Sequence, residues 1–105
     1  MRLSDLKDAL LEVTPNVFHY EAWSMPNKYI VWAEDTEASA GHADNQKTNQ
    51  VIQGTIDYFT KEEYDPNFEL IQEKLNSIDV AWELNSIQFE EETSYIHYEW
   101  VWEMV

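Results

Sequence analysis

Hydrophobic and polar residues alternate with a period of two near the end of this chain. The apolar positions are Ile96, Tyr98, Trp100, Trp102 and Met104. The positions between them are mostly polar: His97, Glu99 and Glu103. A period of two over this length is typical of a β-strand with one buried face. We therefore predict a strand from Tyr95 to Met104 that packs one face against a core.

Four earlier segments are also predicted to be strands, bounded by turn signals and rich in β-branched and aromatic residues: Val17–Ala22, Tyr29–Ala33, Thr48–Thr60 and Ala81–Phe89. The longest of them has a polar face made of Asn49, Gln53, Thr55 and Asp57. Gly54 lies inside this strand, which indicates a bulge or a close approach of another backbone.

Two other segments have helical spacing instead. Their apolar stripes are Leu3, Leu6, Leu10 and Val13 in the first, and Phe68, Ile71, Leu75 and Ile78 in the second. Ser4 is the predicted N-cap of the first helix, and Asp5 suits the positive end of its dipole. Asp65 is the predicted N-cap of the second helix, with Pro66 as its first residue.

The resulting order is αβββαββ, and it predicts the α+β class. We expect one domain, residues 1–105, with one mostly antiparallel sheet and both helices packed on one of its faces. The other face would carry the polar positions, with Ile87, Phe89 and Val101 among them. Thr36–Gln46 is small, polar and without periodicity, so we expect a mobile loop.

Charge restricts the possible partners. The chain has 21 Asp and Glu residues against 6 Lys and Arg residues, a formal net charge of -15. Because affinity for nucleic acid comes mainly from basic residues that neutralise phosphates, we expect no direct nucleic-acid binding, and the same charge repels anionic membranes. Charges interrupt the first eleven residues and no stretch is apolar enough to cross a bilayer, so we expect a soluble protein without a signal peptide.

The sequence contains no motif for catalysis or cofactor binding. It has no cysteine and only 2 glycines, which excludes thiolate sites and a phosphate-binding glycine loop. His42 with Asp44, or His19 with His97 across strands, could supply metal ligands, but strand-face and loop histidines are the simpler interpretation. We predict no enzyme, no cofactor and no metal.

Several runs of residues resemble a known family. They are YIVWAED at 29–35, HADN at 42–45, VIQGTIDYF at 51–59 and YIHYEW at 95–100. They resemble the tail-completion or tail-terminator proteins of long-tailed, siphovirus-type phages and prophages. The resemblance covers nearly the whole chain and implies an α+β subunit of a hexameric ring that caps the tail tube and joins the tail to the head connector. It also implies a long mobile loop between the second and third strands, no catalytic residues, and a location in the host cytoplasm during assembly and then in the virion tail.

The expected partners are therefore other copies of this chain, tail-tube proteins and head-connector proteins. The candidate residues for the subunit interface are Asn49, Gln53, Thr55, Asp57, His97 and Glu99. The candidates for contact with the tube or the lumen are Glu37, His42, Asp44 and Asn45. A lumen lined by acidic residues would let DNA pass without binding it. The alternative for these residues is that they simply face solvent.

Three alternative functions remain open from the sequence. The first two are another head–tail joining protein and a minor capsid protein. The third is an acidic DNA mimic that inhibits a DNA-binding protein, although the carboxylates are scattered over helices and turns rather than along one surface.

Overall fold

The computed structural model describes residues 2–38, 42–43, 46–47 and 50–104. In this part of the chain the elements are, in order, α1 (Leu3–Leu11), β1 (Val17–His19), β2 (Lys28–Glu37), β3 (His42–Ala43), β4 (Gln46–Lys47), β5 (Ile52–Thr60), α2 (Asn67–Ser77), β6 (Ala81–Glu90) and β7 (Tyr95–Met104). None of the helices described has the length and apolar character needed to cross a bilayer.

Five strands form one mixed sheet in the order β1-β2-β5-β7-β6. β1 runs parallel to β2, while the β2–β5, β5–β7 and β6–β7 pairs are antiparallel. β3 and β4 pair with each other in a separate two-stranded sheet. Two helices with a mixed sheet confirm the predicted α+β class.

One face of the large sheet, here called the core face, carries most of the buried side chains. From β2, β5 and β7 these are Ile30, Trp32, Ile56, Tyr58, Tyr98, Trp100, Trp102 and Met104. They share one cluster with Leu6 and Leu10 of α1 and with Ile71 and Leu75 of α2. The predicted alternation of the last strand is thus confirmed, and each large apolar side chain buried here contributes roughly 1.5–3 kcal/mol.

At Gly54 both neighbouring strands, β2 and β7, approach β5 closely. A Cβ on this residue would lie 1.9 Å from the carbonyl oxygen of Ala33 and 2.6 Å from the ring of Trp102. The register of β2 also shifts between Glu34 and Thr36, opposite this point. The close approach predicted from a glycine inside a strand is confirmed.

The predicted helix starts need correction. α1 begins at Leu3 with Arg2 as its N-cap, and Asp5 accepts a hydrogen bond from the Arg2 backbone N–H at 2.9 Å, so Ser4 is not the cap. α2 begins at Asn67, one residue later than predicted, with Pro66 as its N-cap. Asp65 still serves this helix end, because its carboxylate accepts the Asn67 backbone N–H at 2.9 Å.

The predicted order αβββαββ also needs correction. β2 continues through Glu37, β3 lies inside the segment predicted as a loop, Thr36–Gln46, and β4 begins at its last residue. Strands of two residues are too short to produce an alternation, so the sequence gives no signal for them. Residues 39–41, 44 and 45 of that segment lie outside the described residues, and its mobility stays a prediction.

A β-bulge in β6 corrects the predicted faces. The register with β7 shifts between Leu84 and Ser86. A one-residue slip moves the following side chains to the opposite face. Ile87 is therefore opposite Tyr98 and Phe89 opposite Ile96, on the core-face side instead of the polar face.

Candidate assembly surfaces

The face opposite the core face, here called the second face, is aromatic at one end. The rings of Tyr29 and Phe59 stack with centroids 4.7 Å apart, and Phe59 stacks on His97 at 4.2 Å. Tyr95 packs edge-on against this stack and donates its hydroxyl to the carbonyl of Pro26 at 2.7 Å. The second face therefore has a small core of its own, and its aromatic end is ordered by packing within the subunit.

Next to these rings the second face carries a cluster of charged groups. His97 Nε2 lies 2.7 Å from Asp57 Oδ1, and its Nδ1 lies 3.5 Å from Glu90 Oε2. Glu99 is directly opposite Asp57 and accepts a hydrogen bond from the Asn85 amide at 2.6 Å. The hydrogen bond to Asp57 raises the pKa of His97, and burial opposes this. Three predicted interface residues, Asp57, His97 and Glu99, are thus brought together.

Two other interface candidates lie toward the opposite end of β5. Gln53 is opposite Glu103 and Thr55 is opposite Val101. These residues line a shallow pocket of about 320 Å³. Asn49, the remaining interface candidate, lies outside the described residues.

The loop candidates are only partly described. Glu37 ends β2, where it pairs with Ile52 and its side chain is half-buried. The backbone of His42 pairs with Lys47 in β3. Asp44 and Asn45 lie outside the described residues.

Exposed aromatic side chains lie at the β1 edge of the large sheet. Trp23 is 83% exposed and contacts Phe18 of β1 edge to face, with ring centroids 5.1 Å apart. Tyr20 is 62% exposed and stacks on His19 at 3.9 Å. A hydrogen bond to Glu34 also raises the pKa of the Tyr20 hydroxyl. Phe18 and His19 follow each other on β1 and point to opposite faces of the sheet, so Trp23 and Tyr20 lie on the two sides of this edge. We call Tyr20 and Trp23 together the β1-edge patch.

A second exposed apolar area lies at the β6 edge. Ile87 and Phe89 project beside the segment that leads into α2, where Tyr64 is 89% exposed. Together with Phe68 and Ile96 they line a cleft of about 890 Å³. We call Tyr64, Ile87 and Phe89 the β6-edge patch. Because β1 and β6 are the two outer strands of the sheet, the two patches lie at opposite edges.

Each patch contains a tyrosine with left-handed backbone geometry. The φ angles are 74° at Tyr20 and 60° at Tyr64. Such angles are uncommon for residues other than glycine, and the strain costs roughly 1–3 kcal/mol. At each edge of the sheet, an exposed tyrosine is thus attached to a strained backbone.

Some of the basic residues are engaged within the subunit. Lys28 pairs with Glu62 at 2.8 Å, and Lys74 pairs with Glu12 at 3.2 Å. The amine of Lys61 lies over the Tyr95 ring at 4.9 Å from its centroid. These contacts further reduce the positive charge that could meet phosphate.

No protein-family model matches the chain, and no curated protein matches it.

The sequence did not predict the two edge patches as sites. Three of the five tryptophans, Trp32, Trp100 and Trp102, are buried, whereas Trp23 is exposed, and composition alone could not separate these roles. The direction of Ile87 and Phe89 depends on a bulge that leaves no mark in the pattern. The suggested approach of His19 and His97 is wrong, because β2 and β5 lie between their strands.

Proposed function

We propose that the protein is a non-enzymatic structural subunit that assembles edge to edge into a ring, acting as a tail terminator in long-tailed phage particles. The observation that carries the proposal is the pair of apolar patches at opposite edges of one sheet. In this role the ring caps the tail tube and joins the tail to the head connector, as the family resemblance implies. The hexameric state is part of the same proposal.

The placement of the patches favours a ring over a two-fold dimer. When two different surfaces of one subunit meet, the contact is head-to-tail, and such contacts give rings when the rotation closes. The β6-edge cleft offers a concave apolar surface, and the β1-edge patch offers a projecting Trp23, which is 83% exposed. Aromatic side chains that enter apolar pockets are typical anchors of protein interfaces.

Charge supports both the control of assembly and the passage of DNA. Each subunit has a formal net charge of -15. Repulsion between subunits opposes ring formation in solution until a tail tube provides a template. Within the assembled ring, an acidic lumen repels the phosphate backbone, so DNA passes without being bound. Glu37 is the described residue we propose for this lumen.

Native mass spectrometry over a wide concentration range tests the assembly step. At about 0.1 M salt we expect mainly monomers, and at about 1 M salt, where charges are screened beyond ~3 Å, we expect a six-subunit species. A monomer under every condition contradicts self-assembly controlled by salt in solution, and a dimer that takes up no further subunits contradicts ring closure through these edges.

The biological role needs a separate test in the phage genome that carries the gene. After inactivation we expect electron micrographs to show DNA-filled heads and unjoined tails. Complementation with a Glu37→Lys variant then tests the lumen, since reversed charge should slow DNA ejection. Infectious particles of normal shape without the protein contradict the terminator role, and normal ejection by the Lys variant contradicts the lumen assignment of Glu37.

A further inference from the structure

We propose that Asp57, His97 and Glu99 form a binding site for one divalent transition-metal ion such as Zn²⁺. The site lies on the second face, at the centre of the sheet and away from both edge patches. It does not depend on ring assembly or on a role in phage tails.

The geometry of two paired strands brings the three ligands together. Asp57 on β5 is directly opposite Glu99 on β7, and His97 precedes Glu99 by two residues on the same face. One ligand atom from each residue can be chosen so that all three lie within 4.8 Å of one another. An ion bound about 2.0–2.2 Å from each atom fits such a group with small side-chain adjustments.

The side chains of Glu90 and Asn85 contact two of these ligands from outside the ligand group. We call them the outer partners, since metal sites commonly have such groups. Glu90 lies 3.5 Å from His97 Nδ1, which leaves Nε2 directed at Asp57. The Asn85 amide donates to Glu99 at 2.6 Å. A ligating histidine usually donates its other ring N–H to a carboxylate or carbonyl, and ligating carboxylates are hydrogen-bonded in turn. Asn85 owes its position to the bulge in β6, at the register shift between Leu84 and Ser86.

The donor set determines the class of ion. One imidazole nitrogen with two carboxylate oxygens suits Zn²⁺ and related divalent transition metals better than Ca²⁺, which prefers six to eight oxygens. The carboxylates would balance the charge of a divalent ion. The side chains of His97 and Asp57 are 20% and 19% exposed, so an ion can reach them from solvent. In the metal-free protein a direct contact of 2.7 Å between His97 Nε2 and Asp57 Oδ1 spans the same place.

Isothermal titration of untagged, chelator-treated protein with Zn²⁺ tests the site. At about 0.1 M salt we expect one saturable site per subunit. We expect His97→Gln and Asp57→Asn each to weaken the affinity by about tenfold or more. Glu90→Gln, which removes only an outer partner, should weaken it by roughly tenfold.

Two matched variants control for general binding to an acidic surface. His19 also lies against a carboxylate, 2.6 Å from Glu34, but no second carboxylate completes a ligand group there among the described residues. Glu103 lies on the same strand and face as Glu99. His19→Gln and Glu103→Gln should therefore bind Zn²⁺ with wild-type affinity.

Side-chain NMR of the wild type keeps the test decisive if a variant fails to fold. We expect Zn²⁺ to shift the His97 ring nitrogen resonances at one equivalent and to leave those of His19 unchanged. Equal weakening by the control variants, or no selective change at His97, overturns the proposal.

Discussion

The indole ring of Trp102 occupies the space that a side chain on Gly54 would need. The two residues are directly opposite each other on β7 and β5, and the Trp102 Nε1–H donates to the carbonyl of Thr55 at 3.1 Å. Because Gly54 has no side chain, it leaves room for the buried ring of Trp102. Ala33 closes the same space from β2, since its carbonyl oxygen would be 1.9 Å from an added Cβ.

Replacing this glycine should destabilise the fold. In Gly54→Ala the new methyl group meets backbone on one side and a large buried ring on the other, so strands must move apart. Overpacking of this kind typically costs about 1–3 kcal/mol, and contact with rigid backbone places this case at the upper end. Urea denaturation gives the free energy of unfolding, and Thr55→Ala on the half-buried second face is the matched control. Equal stability of Gly54→Ala and the wild type would show that the strands adapt freely.

Stability should also depend on the charge of Asp65. Burial raises the pKa of this carboxyl, but hydrogen bonds from Tyr58, the Asn67 backbone and Thr60, together with Lys28, outweigh it and lower the pKa below its usual value. The Tyr58 hydroxyl lies 2.5 Å from the Asp65 carboxylate in the buried interior. A lowered pKa in the folded state contributes stability that is complete above the unfolded pKa of about 3.9 and is lost as the pH falls through the folded pKa.

Asp65→Asn separates this contribution from that of the other acids. At neutral pH we expect the variant to be less stable by roughly 1.5–3 kcal/mol, because hydrogen bonds to a charged acceptor are lost. The difference should shrink as the pH falls below about 4, where the wild type loses the same contribution. The exposed Asp79→Asn is the control. A difference that stays constant down to pH ~2 would assign the loss to packing and not to charge.

The sequence predicted the core well because the core follows simple periodicities. The last strand buries its even-numbered residues from Tyr98 to Met104 and packs the partly buried Ile96 beside them. The helical stripes supply Leu6, Leu10, Ile71 and Leu75 to the same cluster. A β-bulge, which inserts one extra residue into a strand, was not predicted. The bulge near Asn85 moves Ile87 and Phe89 to the other face, and no local pattern marks it. The sequence predicted only part of the charged cluster. The polar faces of the predicted strands included Asp57, His97 and Glu99, but Glu90 and Asn85, which contact them, were not among the candidates.

Tyr64 should matter for assembly and not for the fold. Its side chain is 89% exposed and its φ is 60°, a value that glycine adopts without strain. Tyr64→Gly should therefore keep the stability of the subunit within ~1 kcal/mol of the wild type, because relief of strain offsets the greater freedom of the unfolded chain. The same variant should lose oligomers at about 1 M salt in native mass spectrometry. Asp79→Gly, at an exposed residue that does not line the cleft, is the control. Assembly of Tyr64→Gly at the wild-type level would remove Tyr64 from the interface.

Mixing two edge variants distinguishes a head-to-tail ring from a two-fold dimer. Trp23→Ser damages only the β1-edge patch, and Phe89→Ser damages only the β6-edge patch. In a head-to-tail ring each variant alone should stay monomeric, because every junction needs both patches. In a mixture, the intact β6-edge patch of the Trp23→Ser variant can bind the intact β1-edge patch of the Phe89→Ser variant. Heterodimers with one copy of each variant should therefore form, and they should not grow further because their free edges are both damaged.

A two-fold interface predicts a different pattern for the same samples. If the β6-edge patch paired with itself, Trp23→Ser alone would still form dimers, and mixing would add nothing. Val101→Thr, on the second face and away from both edges, serves as the control and should assemble like the wild type. Loss of assembly in this variant would instead favour the second face as the subunit interface. Native mass spectrometry at about 1 M salt resolves these species by mass, since screening removes most of the repulsion between the acidic subunits.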